Sequence, residues 1–184
     1  MEDRVTTDRI LPILCLEGNQ VMTIDLRAVT EEDTDFLYSV YASTRADEMA
    51  RVDWNTEQQA AFLRMQFNAQ TQFYIANYPG AEFQVITLNG QSVGRLSIHR
   101  RADEIRIMDI ALLPEYRNLG IGSALLQDIL EHGKNLNLRV TIHVEQFNPA
   151  LRLYRRMGFY PKEDKGVYLL MEWSPTSKEE IKHE

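Results

Sequence analysis

The chain has 184 residues, of which 44% are hydrophobic and 26% are charged, and its formal net charge at pH 7 is -7. This length suits one domain with a sizeable core, and the composition is ordinary for a globular protein. The acidic balance argues against bulk nucleic-acid binding, which usually requires a basic footprint. The one cysteine, Cys15, excludes an intramolecular disulfide, so we expect a reducing, cytoplasmic setting.

Residues 1–21 differ from the rest of the chain. Their apolar run, residues 10–16, is too short to span a membrane, and acidic residues precede it where a signal peptide would be basic. We therefore expect no membrane association, and we predict an N-terminal extension ahead of one domain over residues 22–173 and a polar tail over 174–184. An added strand, or an arm that packs on a partner subunit, is the alternative for residues 1–21.

Alternation and helix-start signals predict the first half of the domain. Residues 22–27 alternate as in a strand, and Thr30-Glu31-Glu32-Asp33 has the pattern of a helix start. Residues 43–53 are mostly polar and show no regular apolar periodicity, which indicates a loop. A second, long helix begins at Asn55 or Thr56 and ends at Pro79-Gly80.

The second half of the domain alternates strands and helices. A hairpin over residues 83–99 turns at Asn89-Gly90, and residues 104–113 form the next strand. A helix over 123–132, a strand around 138–144, a helix from Asn148-Pro149 to Gly158 and a final hairpin over 159–173 follow. The predicted order, β-α-α-β-β-β-α-β-α-β-β, is that of an α/β domain with a mixed sheet.

A glycine-interrupted turn lies between the strand over 104–113 and the helix that follows it. Gly120 and Gly122 allow backbone N–H groups to approach a ligand closely, and the helix dipole favours an anion at that place. A pyrophosphate is the natural guest, although the turn lacks the third glycine of the dinucleotide fingerprint. A tight turn with close helix packing is the alternative role of the two glycines.

Two stretches carry a resemblance to a known family. The first, Ile110 to Leu126, contains the pattern Arg or Gln, two residues, Gly, one residue, then Gly or Ala; the second is Val144 to Ala150, leading into Leu153 to Phe159. Together they resemble the GNAT superfamily of acyl-CoA-dependent N-acetyltransferases. The resemblance implies a single-domain GNAT-like fold, with a mixed central sheet of about seven strands, splayed central parallel strands and about four helices.

The resemblance also implies acetyl-CoA as cosubstrate and a set of residues that bind it. Backbone groups of Ala111 and Leu112 are expected to bind the pantetheine amides like an added strand. Asn148 is expected to hydrogen-bond the cosubstrate or only to cap its helix. The amides expected to cradle the pyrophosphate are those of Arg117, Asn118, Leu119, Gly120, Ile121, Gly122 and Ser123. The Arg117 side chain is expected to meet phosphate oxygens.

The implied reaction is acetyl transfer to a primary amine of a small molecule or peptide by direct attack. Tyr154 matches the family tyrosine that protonates the leaving thiolate, with a buried aromatic as the alternative. Asp109, His143 and Glu145 lie on the strands that flank the splay and are the candidate general bases, each with a structural or solvated role as the alternative. A backbone N–H near Leu112 is the expected donor to the oxyanion.

The acceptor is expected between residues 43–54 and the loop of the final hairpin. Acidic residues in that segment suit a cationic amine, whereas Arg45 and Arg51 suit a carboxylate, and the sequence does not choose between them. The four histidines are scattered, so no metal site is expected. A non-catalytic acyl-CoA-binding or regulatory module is the alternative to an enzyme. Homodimerisation through the final strands or residues 1–21 stays open.

Overall fold

One mixed β-sheet runs through the part of the chain that this computed structural model describes, residues 10–14 and 21–175. Its strands are β1 (Ile10–Leu14), β2 (Val21–Ala28), β3 (Glu82–Leu88), β4 (Gln91–Arg100), β5 (Glu104–Leu112), β6 (Arg139–Glu145), β7 (Tyr160–Lys165) and β8 (Tyr168–Trp173). They lie in the order β1-β2-β3-β4-β5-β6-β8-β7. Only the central neighbours β5 and β6 are parallel, and the other pairs are antiparallel.

Five α-helices in the described residues complete the domain: α1 (Thr34–Thr44), α2 (Ala46–Met49), α3 (Thr56–Asn77), α4 (Ile121–Leu136) and α5 (Leu151–Arg156). The predicted α/β class and order of elements are confirmed from β2 onward. The predicted loop over residues 43–53 is wrong in part, because α2 forms one helical turn there, and its Met49 is buried against Tyr41, Leu63 and Phe67. No helix between residues 21 and 175 is long and apolar enough to cross a membrane.

The N-terminal and C-terminal segments bear on the predicted domain boundaries. β1 pairs antiparallel with β2 at the edge of the sheet, as an added strand would. Cys15 and the tail after Pro175 lie outside the described residues. The boundaries at 21/22 and 173/174 stay predictions.

The larger core lies between the helices α4 and α5 and one face of the sheet. Leu125 and Leu126 of α4, Ile107 of β5 and Val140 of β6 are each at most 1% exposed there. Side chains on a strand alternate between the two faces, so Arg95, Ser97 and Asp109 lie on the other face, which α1 and α3 cover. The sheet therefore separates an apolar core from a face that carries charged groups.

The two central strands separate partway along their length. Their parallel pairing ends at Ile107 and Ile142, although β5 continues to Leu112 and β6 to Glu145. A register shift in the pairing with β4 leaves Met108 as an extra residue of β5, a β-bulge that bends the strand. β4 stays paired with β5, and β8 with β6, to the ends of these strands. The expected splay of the central parallel strands is thus confirmed.

Candidate active site

The turn between β5 and α4 presents backbone N–H groups that have no partner in the helix. Asn118 and Gly120 adopt left-handed conformations, with φ of 63° and 84°. Gly120 is the N-cap of α4, whose first turn contains neither a side-chain cap nor an acidic residue. The first intrahelical bond runs from the N–H of Ala124 to the carbonyl of Gly120. The N–H groups of residues 121–123 therefore form an anion site together with the helix dipole.

The structure gives different reasons for glycine at the two positions of this turn, 120 and 122. Gly120 favours glycine because of its positive φ. Gly122 does not, since a Cβ there would meet only a side-chain atom of Leu153 at 3.7 Å, an ordinary contact. Backbone conformation therefore explains Gly120, whereas neither conformation nor packing explains Gly122. A bare backbone at residue 122 leaves the N-terminus of α4 open to a ligand.

The opened edge of β5 offers the backbone groups of Leu112. The N–H of Leu113 donates to the carbonyl of Val93 at 2.9 Å, and the backbone groups of alternate residues point to the same side of a strand. Ala111, opposite Arg95 in the register, therefore bonds towards β4, while the N–H and carbonyl of Leu112 point into the gap. Of the two residues expected to bind pantetheine amides, the structure favours Leu112 over Ala111.

Arg117 connects three parts of the candidate site. Its Nε donates to the Leu112 carbonyl at 2.9 Å, and its Nη2 donates to Oγ of Ser43 at 3.1 Å. The side chain thus bridges the end of β5 and the last turn of α1. In this arrangement the guanidinium that was expected to meet phosphate lies against the strand edge.

Tyr154 lies on α5 and is 5% exposed. Its ring packs edge-on against Phe159, with 5.7 Å between the ring centroids. Burial raises the pKa of its hydroxyl well above the usual range, and the negative charge of Asp109 raises it further. The phenol is therefore protonated at neutral pH, which a general acid requires.

Asn148 shapes the turn that leads into α5. Its Oδ1 accepts a hydrogen bond from the N–H of Ala150 at 2.9 Å, inside the turn ahead of the helix. The N-cap of α5 is Ala150, without a side-chain cap, so the predicted capping of the helix by Asn148 is wrong. The helix begins at Leu151, later than expected, because Pro149 and Ala150 form a turn ahead of it.

Two of the three candidate bases are engaged in ion pairs. Asp109 pairs with Arg95, and Glu145 pairs with Arg45 at 3.2 Å between Oε1 and Nη1. The hydroxyl of Tyr168 also donates to Glu145, at 3.4 Å. Each carboxylate therefore already has a cationic partner on the face that α1 and α3 cover.

His143 differs from these carboxylates. It is exposed on β6, one residue after the pairing with β5 ends, and its imidazole forms no ion pair or hydrogen bond with the described part of the chain. Partial desolvation lowers the pKa of its imidazole, and the positive charges of Arg106 and Lys165 lower it further. The ring is therefore uncharged at pH 7 and can accept a proton.

The segment expected to frame the acceptor does reach the open end of the sheet. Ser43 meets Arg117, and Arg45 meets Glu145. Sequence reasoning missed Arg95, which is 9% exposed in the middle of β4. A charged residue between Gly94 and Leu96 in a central strand was the available signal. Between residues 21 and 175, no group of three or more His, Cys, Asp or Glu side chains is placed to hold a metal ion.

Known protein sequences share similarity with this chain. The model of the acetyltransferase (GNAT) family matches residues 37–159. A Bacillus subtilis protein, provisionally named a ribosomal protein bS18-alanine N-acetyltransferase, is 33% identical over 85 residues, which are 45% of this chain and 56% of that protein. An N-alpha-acetyltransferase of Sulfurisphaera tokodaii is 38% identical over 56 residues, which are 29% of this chain and 34% of that protein. The matches thus span about half or less of these relatives.

Solved structures share the fold over most of the chain. An N-acetyltransferase of Thermoplasma acidophilum in complex with coenzyme A has a TM-score of 0.63 at 18% identity, covering 82% of this chain and 98% of that chain. An acetyltransferase of Thermus thermophilus has a TM-score of 0.60 at 20% identity, covering 82% and 96%. At these identities the likeness concerns the fold alone.

Proposed function

Because the chain belongs to the GNAT family of acetyltransferases, we propose that it transfers an acetyl group from acetyl-CoA to a primary amine of a small molecule or a peptide. One observation carries the proposal. The opened edge of β5, at Leu112, runs directly into the turn whose N–H groups at residues 121–123 are unpaired. A peptide-like edge beside an anion cradle suits a ligand that joins amide groups to a pyrophosphate.

The residues present fit such a ligand. Leu112 supplies an N–H and a carbonyl that no neighbouring strand uses. The N-terminus of α4 carries no acidic residue that would repel phosphate. Gly122 leaves that helix end uncovered, and Arg117 adds a positive charge nearby. These four features support a binding mode in which the amides lie along β5 and the phosphates at α4.

The chemistry follows from the groups at the splay. Bound acetyl-CoA supplies an acetyl group activated as a thioester, and the amine nitrogen forms the new bond to carbon while the bond to sulfur breaks. A backbone N–H near Leu112 donates to the carbonyl oxygen, which gains negative charge. Tyr154 holds its proton at neutral pH and gives it to the leaving sulfur.

The amine must lose a proton before or during the attack. For a lysine-like amine this costs about 4–5 kcal/mol at pH 7, and for an α-amino group about 1 kcal/mol. We assign His143 as the general base that accepts this proton, because its imidazole is unpaired, exposed and neutral at pH 7. Asp109 and Glu145 are already in ion pairs with arginines. The names of the two curated relatives refer to alanine and alpha-amine acetylation, which supports an acceptor of the α-amino kind.

Thiol release from acetyl-CoA across a panel of primary amines tests the proposal. We expect turnover with at least one amine, and Tyr154→Phe is expected to lower kcat by about 10²- to 10⁴-fold without weakening acetyl-CoA binding. Tyr78→Phe, which removes a hydroxyl outside the site, is the matched control. If acetyl-CoA raises the melting temperature but no amine releases thiol, the chain is an acyl-CoA-binding module and the proposal is wrong.

A further inference from the structure

Tyr74 of α3 reaches the point where the two central strands separate. Its hydroxyl donates to the carbonyl oxygen of Met108, the extra residue of β5, at 3.3 Å. The pairing of β5 with β6 ends one residue earlier, at Ile107. A side chain of α3 therefore meets β5 at the closed end of the gap between the two strands.

The carbonyl of Met108 points into this gap. Asp109 is opposite Ser97 in the register with β4, and alternate residues of a strand bond to the same side, so the N–H of Asp109 is directed to β4 like that of Ala111. In a trans peptide group the carbonyl of one residue and the N–H of the next point in opposite directions. The Tyr74 hydroxyl that meets the Met108 carbonyl therefore lies on the gap side of β5.

Tyr74 also lines a cavity of about 450 Å³ below α3, between the sheet and the helices α1 and α3. This volume is within the range of small-molecule sites, about 300–1,000 Å³. The charged groups at one end of the cavity, Arg95 and Asp109, are paired with each other. The apolar part of its wall consists of Val29, Leu37, Phe67, Ile75 and Phe83. The cavity therefore suits an uncharged chain, and Tyr74 stands between it and the gap.

Contacts with neighbouring rings hold Tyr74 in this place in addition to its hydrogen bond. Its ring packs edge-on against Tyr78, with 6.0 Å between the centroids, and lies tilted at 6.3 Å from that of Phe73. Burial raises the pKa of the Tyr74 hydroxyl to about 12, and the negative charge of Asp109 contributes to this shift. The hydroxyl thus stays protonated at neutral pH and remains a donor to Met108.

We propose that Tyr74 limits the length of the acyl group on the donor. The inference rests on the proposed function, in which the phosphates lie at α4 and the amides along β5, so that the thioester lies further from α4, towards Met108. Beyond Met108 the gap is closed by the pairing of Ile107 with Ile142, and on the side of α3 it is closed by the Tyr74 ring. An acetyl group ends before this ring, whereas a longer acyl chain meets it.

Binding of acetyl-CoA and hexanoyl-CoA, measured by isothermal titration, tests the inference without an acceptor. The two ligands differ only in the methylene groups of the acyl chain, so the ratio of their dissociation constants reports the acyl group alone. We expect the wild type to bind hexanoyl-CoA at least tenfold more weakly. In Tyr74→Ala the chain can enter the cavity, where each buried methylene is worth about fourfold in affinity, so the ratio should shift at least tenfold towards hexanoyl-CoA.

Three further variants separate the ring from its surroundings. Tyr74→Phe keeps the ring and loses only the hydroxyl, so its ratio should stay near that of the wild type. Tyr78→Ala removes the neighbouring ring at the C-cap of α3, which does not line the cavity, and should also leave the ratio unchanged. Tyr74→Leu keeps an apolar side chain that is too short to reach Met108, and it replaces Tyr74→Ala in the comparison if that variant does not fold.

The possible results distinguish the inference from the proposed function. Equal affinity of the wild type for both thioesters, or an unchanged ratio in Tyr74→Ala and Tyr74→Leu, would overturn the inference and leave the proposed function standing. A ratio in Tyr74→Phe that shifts as far as in Tyr74→Ala would also overturn it, because the hydrogen bond at the bulge and not the ring would then set the preference. Failure of the wild type to bind either thioester would remove the proposed function and the inference together.

Discussion

Nε of Arg117 donates to the carbonyl oxygen of Leu112 at 2.9 Å, so the first residue of the anion-binding turn holds the last residue of β5. Because the same guanidinium reaches Ser43, the cosubstrate edge and the acceptor segment share one side chain. A ligand that bonds to the Leu112 carbonyl would compete with Arg117 for it, and the arginine would then be released towards the phosphates.

Replacement of Arg117 by alanine is expected to weaken acetyl-CoA binding about tenfold, because a charged hydrogen-bond donor beside the pyrophosphate is lost. Isothermal titration with CoA measures the effect. Arg100→Ala removes an arginine that pairs with Glu82, away from the turn, and serves as the control. Equal affinity of the two variants would show that Arg117 has only a structural role.

Gly122→Val is expected to reduce CoA binding by at least tenfold with little change in melting temperature. The added Cβ meets only Cδ2 of Leu153, at 3.7 Å, so the backbone has room for a side chain there, and the valine methyl groups are expected to cover the N–H groups at the helix end. Gly120→Ala is the contrasting variant. Its positive φ predicts a loss of stability of about 1–2 kcal/mol. A Gly122→Val protein with unaltered CoA affinity would contradict the phosphate assignment.

Gly94→Ala is expected to disturb both stability and CoA binding. A Cβ at this position would stand 2.3 Å from the carbonyl oxygen of Ala111 and 2.7 Å from Cδ2 of Leu112, so β4 and β5 must shift apart beside the cosubstrate edge. We expect a loss of about 1–3 kcal/mol in the free energy of unfolding, measured in urea. Gln91→Ala, at an exposed position of the same strand, should change it by less than about 0.5 kcal/mol.

The pH dependence of kcat/KM tests His143 as the base. Since the pKa of His143 is lowered, its neutral form persists to below about pH 6.5, and activity should fall only as the pH drops through that lowered value. In His143→Gln this acidic limb should be absent and the plateau lower. If the limb survives in His143→Gln but disappears in Glu145→Gln or Asp109→Asn, a carboxylate is the base.

The stability of the fold at low pH tests the ion pair between Arg27 and Asp33, the N-cap residue of α1. The carboxylate of Asp33 accepts hydrogen bonds from Nη1 and Nη2 of Arg27 at 2.8 and 2.6 Å, and these bonds hold its pKa far below the usual range. The pair therefore stabilises the fold above about pH 4 and loses this contribution as the pH falls further.

Asp33→Asn should accordingly cost about 1 kcal/mol at pH 7, and the difference from wild type should shrink at pH 3. Asp35→Asn is the control, because Asp35 is 91% exposed and its pair with Arg64 should matter little. A difference between wild type and Asp33→Asn that is the same at both pH values would contradict this account.

Local signals predicted the order of elements, since alternation marks strands and Asn89-Gly90 and Gly158 mark turns. The ion pairs of the candidate site could not be predicted from such local sequence signals. Arg45 and Glu145 are 100 positions apart, and Arg95 finds Asp109 only after β4 and β5 align. The choice between Ala111 and Leu112 depends on hydrogen-bond direction, which follows from the position of the bulge. The cavity below α3 arises from packing between distant segments.

The extra residue in β5 also changes the phase of that strand. Ile105 and Ile107 pack into the core before Met108, whereas Ile110 and Leu112 do so after it, so the spacing of core residues reads two, three, two. If β5 instead alternated regularly through Met108, Asp109 and Ala111 would point into the core, and Leu112 would face the side of α1 and α3. A single-residue deletion at Met108 should therefore remove the bulge and the bend of β5 while Asp109 keeps its face, an effect that no substitution could mimic.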